Sequence, residues 1–395
     1  MFSKISYPKI FLSSLIFAIL VVQQMVGILP QLPITITVAY GILTLLRYSL
    51  TEYNRVYNHM LLFICYLAFA LLIMSPPEIF NSWLRLGLYA TIVLTVFPLV
   101  SNKYLDIFRY YCLNIIIVMF ITLSCISFFC YYEGINYMTY EAELEFSEKG
   151  GLFGGLMTHS IILGIASGIS ICALTFYTIT RNWKYAMLII PCFGSLMFSA
   201  SRGAIIATIA GCLIMILQLI RNRSYKKRAL RFLIISLLGI ALAITYTNIT
   251  DGIESKFLNR DDGSLFSSRE TKINHRIDEF SSSPIVGIGF SAIDINGGDE
   301  YNTHTGVIEP GSSWFAILSM SGIIGLIFVI LMLYKGAKIL KESKADYKYL
   351  LIALFIFFIF SMYSEGYIFA GGSSLCALLW LTLGQCISAN NIDNK

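Results

Sequence analysis

The chain has 395 residues, 57% of them hydrophobic and 13% charged, with a formal net charge of +5 and a mean hydropathy of +0.73. That balance excludes a soluble globular domain and describes an all-α, polytopic integral membrane protein, one membrane domain over residues 1–395. The positive charge gathers in particular connections and does not form a general coat, so no nucleic-acid partner is expected.

Apolar runs predict about twelve transmembrane helices, near 10–28, 31–46, 60–75, 83–100, 111–130, 155–180, 185–200, 203–220, 232–247, 313–334, 349–364 and 373–389. The first run lacks a small-residue cleavage site and passes at once into another apolar run. It reads as a span, not as a removed signal peptide. With both termini cytoplasmic, the inner connections hold 20 of the 28 Lys and Arg residues. These include the runs Arg221–Arg231 and Lys335–Lys348. This is the bias expected of inward-facing loops, and it orients the chain.

Two outer connections are then long. Residues 131–154 are acidic, with Glu133, Glu141, Glu143, Glu145 and Glu148. Residues 248–312 form a large outer loop carrying 11 acidic and 5 basic residues. A connection of that length is expected to be functional. Nine cysteines lie in or at the ends of spans, and no His/Cys spacing suggests a metal. They read as small core residues, and no cofactor is expected.

Tyr185 to Ile220 is almost wholly apolar and is interrupted by Ser201-Arg202-Gly203. As one helix it would run about 54 Å, well past the roughly 30 Å hydrocarbon core, so the chain must turn near Arg202. Gly203 is expected to permit the turn. Arg202 then presents a permanently charged planar fork to an anion on the outer face.

Within the outer loop, residues 269–281 have helical periodicity. Measured from Arg269 at about 100° per residue, Ile273, Arg276 and Phe280 fall within about 40° of one stripe. Thr271, Asn274 and Asp278 fall opposite. Arg269 and Arg276 thus share the apolar face, which is expected to lie on the bundle with both guanidinium groups turned inward. Ser283-Pro284 ends this helix, and Ile285 to Phe290 reads as a short apolar turn. Arg85 sits at the outer end of the fourth span. Outer arginines run against the charge rule, and guanidiniums converging from several segments suit a diphosphate. Their alternative is a snorkelling or ion-paired role.

His159 stands in the first turns of the sixth span, as a helix-end residue or a substrate contact. His275 falls on the polar face of the amphipathic helix. His304, before the tenth span, is a candidate general base because its pKa lies near neutrality. Glu309, at the mouth of that span, is its rival; an acid there is also a favourable partner for the helix dipole.

These residues resemble the O-antigen ligase and Wzy-type polysaccharide polymerase superfamily of bacterial membrane glycosyltransferases. The matching pieces are Ser201-Arg202-Gly203, Ser268-Arg269, Pro284-Ile-Val-Gly-Ile-Gly-Phe290 and Gly322-Ile-Ile-Gly325. Their order and the roughly twelve spans cover about residues 60–390. The resemblance implies metal-independent transfer of a glycan from a lipid diphosphate, usually undecaprenyl diphosphate, on the outer face of the bacterial inner membrane. It implies a lipid-linked oligosaccharide donor and acceptor among membrane lipids, with a flippase and a chain-length regulator as candidate partners. Arg202 and Arg269 match the arginines that hold the diphosphate. Ligases resemble a pattern of His, a small polar residue, nine further residues and Gly-x-x-Gly. Here Gly311 and Ser312 occupy the first two places. The ligase base is absent from its usual position, which favours a polymerase. A ligase is the nearer alternative. A transporter or lipid flippase is the more distant one, and would show broken helices at repeated positions.

Overall fold

The computed structural model describes residues 6–138, 153–246, 267–294 and 308–392. The apolar runs form α1 (Tyr7–Val22), α2 (Ile34–Ser49), α3 (Asn58–Met74), α4 (Ser82–Val96), α5 (Lys103–Tyr132) and α6 (Ser160–Thr180). Then follow α7 (Ala186–Phe198), α8 (Arg202–Arg221), α9 (Lys226–Tyr246), α10 (Ser267–Ser282), α11 (Ser313–Glu342), α12 (Lys348–Ser364) and α13 (Ser374–Ile392). Two short strands, β1 (Arg55–Val56) and β2 (Val100–Ser101), pair antiparallel. Among the described residues six helices are long and apolar enough to cross a membrane, and shorter apolar helices pack among them.

Helix α6 is the central element. In its most apolar stretch 83% of the residues are buried, against half or less in the other long helices, so it is shielded from lipid by its neighbours. It packs on α5, α7, α8 and α12, while α8 lies along α12. Small residues set these close approaches. A Cβ at Gly211 of α8 would come within 2.6 Å of the Ala353 carbonyl on α12.

Helix ends follow local chemistry. The fourth predicted span stops at Val96, earlier than the hydropathy suggests, because Pro98 disfavours helix at the residue before it. The last carbonyls of α4 are taken by Arg109, which is fully buried. Its guanidinium donates to Thr95 O at 2.9 Å, Leu94 O at 3.3 Å and Val100 O at 3.0 Å. A cation at a helix C-terminus satisfies both the orphan carbonyls and the dipole.

The two ends of the bundle differ. At the end rich in Lys and Arg, β1 pairs with β2. There the Tyr225 hydroxyl donates to Asp346 at 2.6 Å, and this bond pushes the phenol up to about 12. Lys335 sits over the Tyr57 ring at 4.2 Å. At the opposite end the α1–α2 connection pairs with the segment before α6: Gly27 N–H donates to Leu156 O and Thr158 N–H to Met25 O, each at 2.9 Å.

Helix α11 is broken. Gly322 has φ 62° and ψ −168° inside it, about 13 Å along the axis from Ser313 at 1.5 Å per residue. The segment Pro284–Ile288 fills the gap. Ile323 N–H donates to Pro284 O at 2.9 Å, and Ile288 N–H donates to Ser319 O at 2.8 Å. Tyr66 of α3 donates to Ser321 O at 2.6 Å. Gly287, at φ 79°, abuts the backbone of residues 320–322, so close that a Cβ would lie 2.5 Å from Ser321 N. Non-helical backbone at this depth is tolerable where protein satisfies its polar groups. The apolar turn over 285–290 is therefore a plug. Its last residue, Phe290, is fully buried, with ring centroids 5.3 Å from Tyr89 and 5.2 Å from Phe369.

Candidate active site

The turn between α7 and α8 is made by residues 199–201. Ser199 N–H donates to Ser195 O at 3.0 Å, Ala200 N–H donates to Met197 O at 3.1 Å, and Ala200 takes the left-handed conformation at φ 52°. The conformational role expected of Gly203 thus falls to Ala200. Gly203 is inside α8 and serves close packing: a Cβ there would lie 1.8 Å from Ser364 Oγ and 2.6 Å from its Cβ. Adding a methyl at Gly203 is expected to part α8 from α12 and cost about 1–3 kcal/mol. Gly203→Ala with Ser364→Gly should recover most of the thermal stability lost by Gly203→Ala alone.

Arg202 is the first residue of α8 and is partly exposed. Ser201, at the N-cap, makes no side-chain cap hydrogen bond. The helix dipole, the backbone N–H groups of the first turn and the guanidinium all favour an anion here. His159 behaves differently. It caps α6, its Nδ1 accepting from Ile161 N–H at 3.1 Å, so in the neutral imidazole Nε2 carries the proton.

Ser364 abuts Gly203, and the next residue, Glu365, ends α12. Glu365 is partly buried. Its carbonyl accepts from Ser313 N–H at 2.9 Å and from Ser313 Oγ at 2.6 Å. Ser313 Oγ accepts in turn from the Tyr367 and Ile368 N–H groups at 3.1 and 3.2 Å. The start of α11, the α12–α13 connection and the Arg202 tip therefore form one patch, which places a carboxylate one residue beyond the Gly203 contact. In the sequence Glu365 reads only as a charge near a span end.

The amphipathic helix exists as α10, Ser267–Ser282. Arg276 is 1% exposed, whereas Thr271, Asn274 and Asp278 are exposed. His275 is partly buried. Arg276 Nη1 lies 2.8 Å from Glu279 Oε2, and Glu279 is itself buried at 5%. Glu279 Oε1 accepts from Asp294 N–H at 2.7 Å, tying the far side of the plug to α10. Glu279 was discoverable in the sequence as an opposite charge three residues from Arg276. Breaking a buried pair strands a charge at about 3–5 kcal/mol. Glu279→Leu is therefore expected to lower the melting temperature sharply, and Arg276→Met/Glu279→Leu to restore most of it.

Lys272 of α10 pairs with Glu309 at 2.5 Å. Glu309 is 62% exposed along its side chain. Gly311, where the ligase pattern has its histidine, sits at φ 74°, and a Cβ there would lie 2.9 Å from Lys272 Cβ. Arg85, in the first turn of α4, donates from Nη1 to Ser291 Oγ at 3.4 Å, next to Phe290. Arg269 falls in the first turn of α10. The Arg269 side chain, His304 and the acidic residues 139–152 lie outside the described residues. Among the described residues no cluster of His, Cys, Asp and Glu could hold a metal ion.

No curated protein matches this chain. Residues 186–330, which hold Arg202, Arg269, Arg276, the plug and the break in α11, match a family model described as O-antigen ligase. That match covers part of the chain; with the apolar helices it supports the resemblance to the O-antigen ligase/Wzy-type superfamily read from the ordered motifs, and a ligase- or polymerase-type function in a multi-pass membrane protein.

Proposed function

We propose that this protein is a polymerase joining oligosaccharide repeats carried on a lipid diphosphate, of the undecaprenyl type, at the outer face of the bacterial inner membrane. The observation that carries this reading is Arg202 at the uncapped N-terminus of α8, at the end of the bundle away from the basic connections. Twelve crossings with both termini cytoplasmic agree with the contacts between connections. The α2–α3 connection pairs with the α4–α5 connection, and the α1–α2 connection pairs with the segment before α6. Each pairing joins segments that this topology puts on one side.

In the reaction, an acceptor hydroxyl of one lipid-linked repeat attacks the anomeric carbon of the glycan on the other lipid. The bond from that carbon to the diphosphate oxygen breaks. Arg202 and Arg269 stabilise the departing diphosphate. Arg85, which donates to Ser291, adds positive potential behind them, whereas the charge of Arg276 is balanced by Glu279, so its part is to hold α10 in place. The acceptor proton passes to a base. His304, Glu309 and Glu365 are the candidates, and Glu365 is favoured by its place beside the Gly203 contact. Glu309 is already engaged by Lys272 at 2.5 Å and points to an exposed position. Glu365→Gln is expected to reduce chain elongation about 100-fold or more, with Glu309→Gln within about tenfold of wild type. Full elongation by Glu365→Gln in a protein present at normal membrane levels would remove it from this role.

What weighs against the ligase alternative is the residue itself: Gly311 stands where the ligase pattern has its histidine. The glycine takes φ 74° and lies against Lys272, where a Cβ would come within 2.9 Å of the Lys272 Cβ. The product in cells lacking the protein separates the two: a single-repeat lipid marks a polymerase, unattached long chains mark a ligase. A transporter is expected to break helices at repeated positions. Among the described residues non-helical dihedrals interrupt α11 alone, and the plug fills that break.

A further inference from the structure

Beneath the Arg202 tip, α8, α11 and α12 leave a groove of about 340 Å³. Gly203 and Ser364 form its mouth, and Ile206, Ile359, Phe360 and Tyr363 continue it along α8 and α12, with Trp314 of α11 as the far wall. Trp314 is locked in place, its indole N–H donating to Ile359 O at 3.1 Å. Ile206, Phe360 and Tyr363 are 43%, 47% and 44% exposed, so the groove opens sideways from the bundle, where lipid would lie.

The geometry points to a bed for the isoprenoid tail of the donor lipid diphosphate. Three features carry this. The lining is almost wholly apolar. The residue before Gly203 is Arg202, so a fixed cation stands at one end of an apolar slot, matching an amphiphile with an anionic head. The slot also runs along the helix axes away from that cation, as a tail leaving a diphosphate must. At roughly 30 Å³ per small group in a liquid, the volume admits on the order of ten heavy atoms. That is about two isoprene units, with the rest of the tail passing into the bilayer. Absence of a Cβ at Gly203 keeps the mouth open while letting α8 touch Ser364. The groove thereby fixes the donor's anomeric carbon relative to Arg202 and leaves the acceptor to approach from the other side of the tip.

This inference rests on the proposed lipid-diphosphate reading, and its test separates the two. The probe is a lipid-diphosphate repeat bearing a diazirine in its first isoprene units, reconstituted with the full chain in proteoliposomes. Label is expected on peptides containing Ile206, Ile359, Phe360 and Tyr363, and a long-tailed unlabelled lipid diphosphate should compete it while a neutral isoprenol does not. Ile206→Trp and Ile359→Trp, which fill the groove, should raise the donor KM at least tenfold with little change in kcat. Elongation by wild type, combined with label spread over the other lipid-facing helices or an unchanged KM in both filled variants, overturns the groove and leaves the function standing. If wild type elongates no lipid-diphosphate repeat, the function falls, and the groove assignment falls with it.

Discussion

Arg202→Ala is expected to lower chain elongation by about 10²–10³, the loss typical of removing one preorganised donor from a developing anion. The departing diphosphate gains negative charge as the glycosidic bond breaks, so an interaction with it is stronger in the transition state than in the ground state. The loss should therefore fall mainly on kcat, with a smaller rise in KM. Arg202→Lys retains charge but not the bidentate fork, and is expected to fall between wild type and alanine. Arg202 stands at a turn supported by backbone hydrogen bonds of Ser199 and Ala200 that do not involve its side chain. Both variants should consequently reach the membrane at normal levels. A loss that tracked protein level would mean that the guanidinium is a structural anchor.

The largest effect on stability is expected at Gly322. Its φ of 62° and ψ of −168° lie in a region open essentially to glycine. A Cβ there would also lie 2.2 Å from Ile285 O and 2.7 Å from Val286 N, both backbone atoms with no rotamer to yield. Strain of about 1–3 kcal/mol adds to a clash that can be relieved only by withdrawing the plug. Withdrawal in turn exposes Pro284 O, Ser319 O and the Ile323 N–H. Gly322→Ala is thus expected to cost more than about 4 kcal/mol, a size reserved for a few named mechanisms, and to abolish folded protein in detergent. Gly287→Ala should behave similarly from the other side of the junction. Wild-type melting for Gly322→Ala would contradict the plug geometry.

The helical framework was legible because hydropathy and the length of a bilayer crossing leave little choice. Each predicted apolar run has a helix, but several boundaries differ: α1 ends at Val22, α5 begins at Lys103 and α11 runs on to Glu342, while Pro98 and the His159 cap shift two others. Arg202 was legible for the same reason: a charge in an apolar run too long to be one helix. The inward face of α10 could be read from periodicity, since it is local. What the sequence hides is anything that depends on two distant segments meeting. Gly203 looks like a turn glycine until Ser364 is seen against it. The glycines of Pro284–Phe290 and of Gly322–Gly325 read as two separate weak motifs. In the structure they are the two sides of one backbone junction, and glycine is required where they touch. Glu365 becomes a candidate base only through its neighbour's contact with Gly203. Arg109 reads as a charge marking the inner side, yet it caps α4 from a fully buried position.

The most direct measurement is elongation by the purified protein in proteoliposomes supplied with a lipid-diphosphate-linked repeat and neither nucleotide sugar nor added metal. The account predicts a ladder of polymer lengths on the lipid carrier, with release of lipid diphosphate, and its collapse in Arg202→Ala. Unchanged single repeats with wild type, or a full ladder with Arg202→Ala, would contradict it.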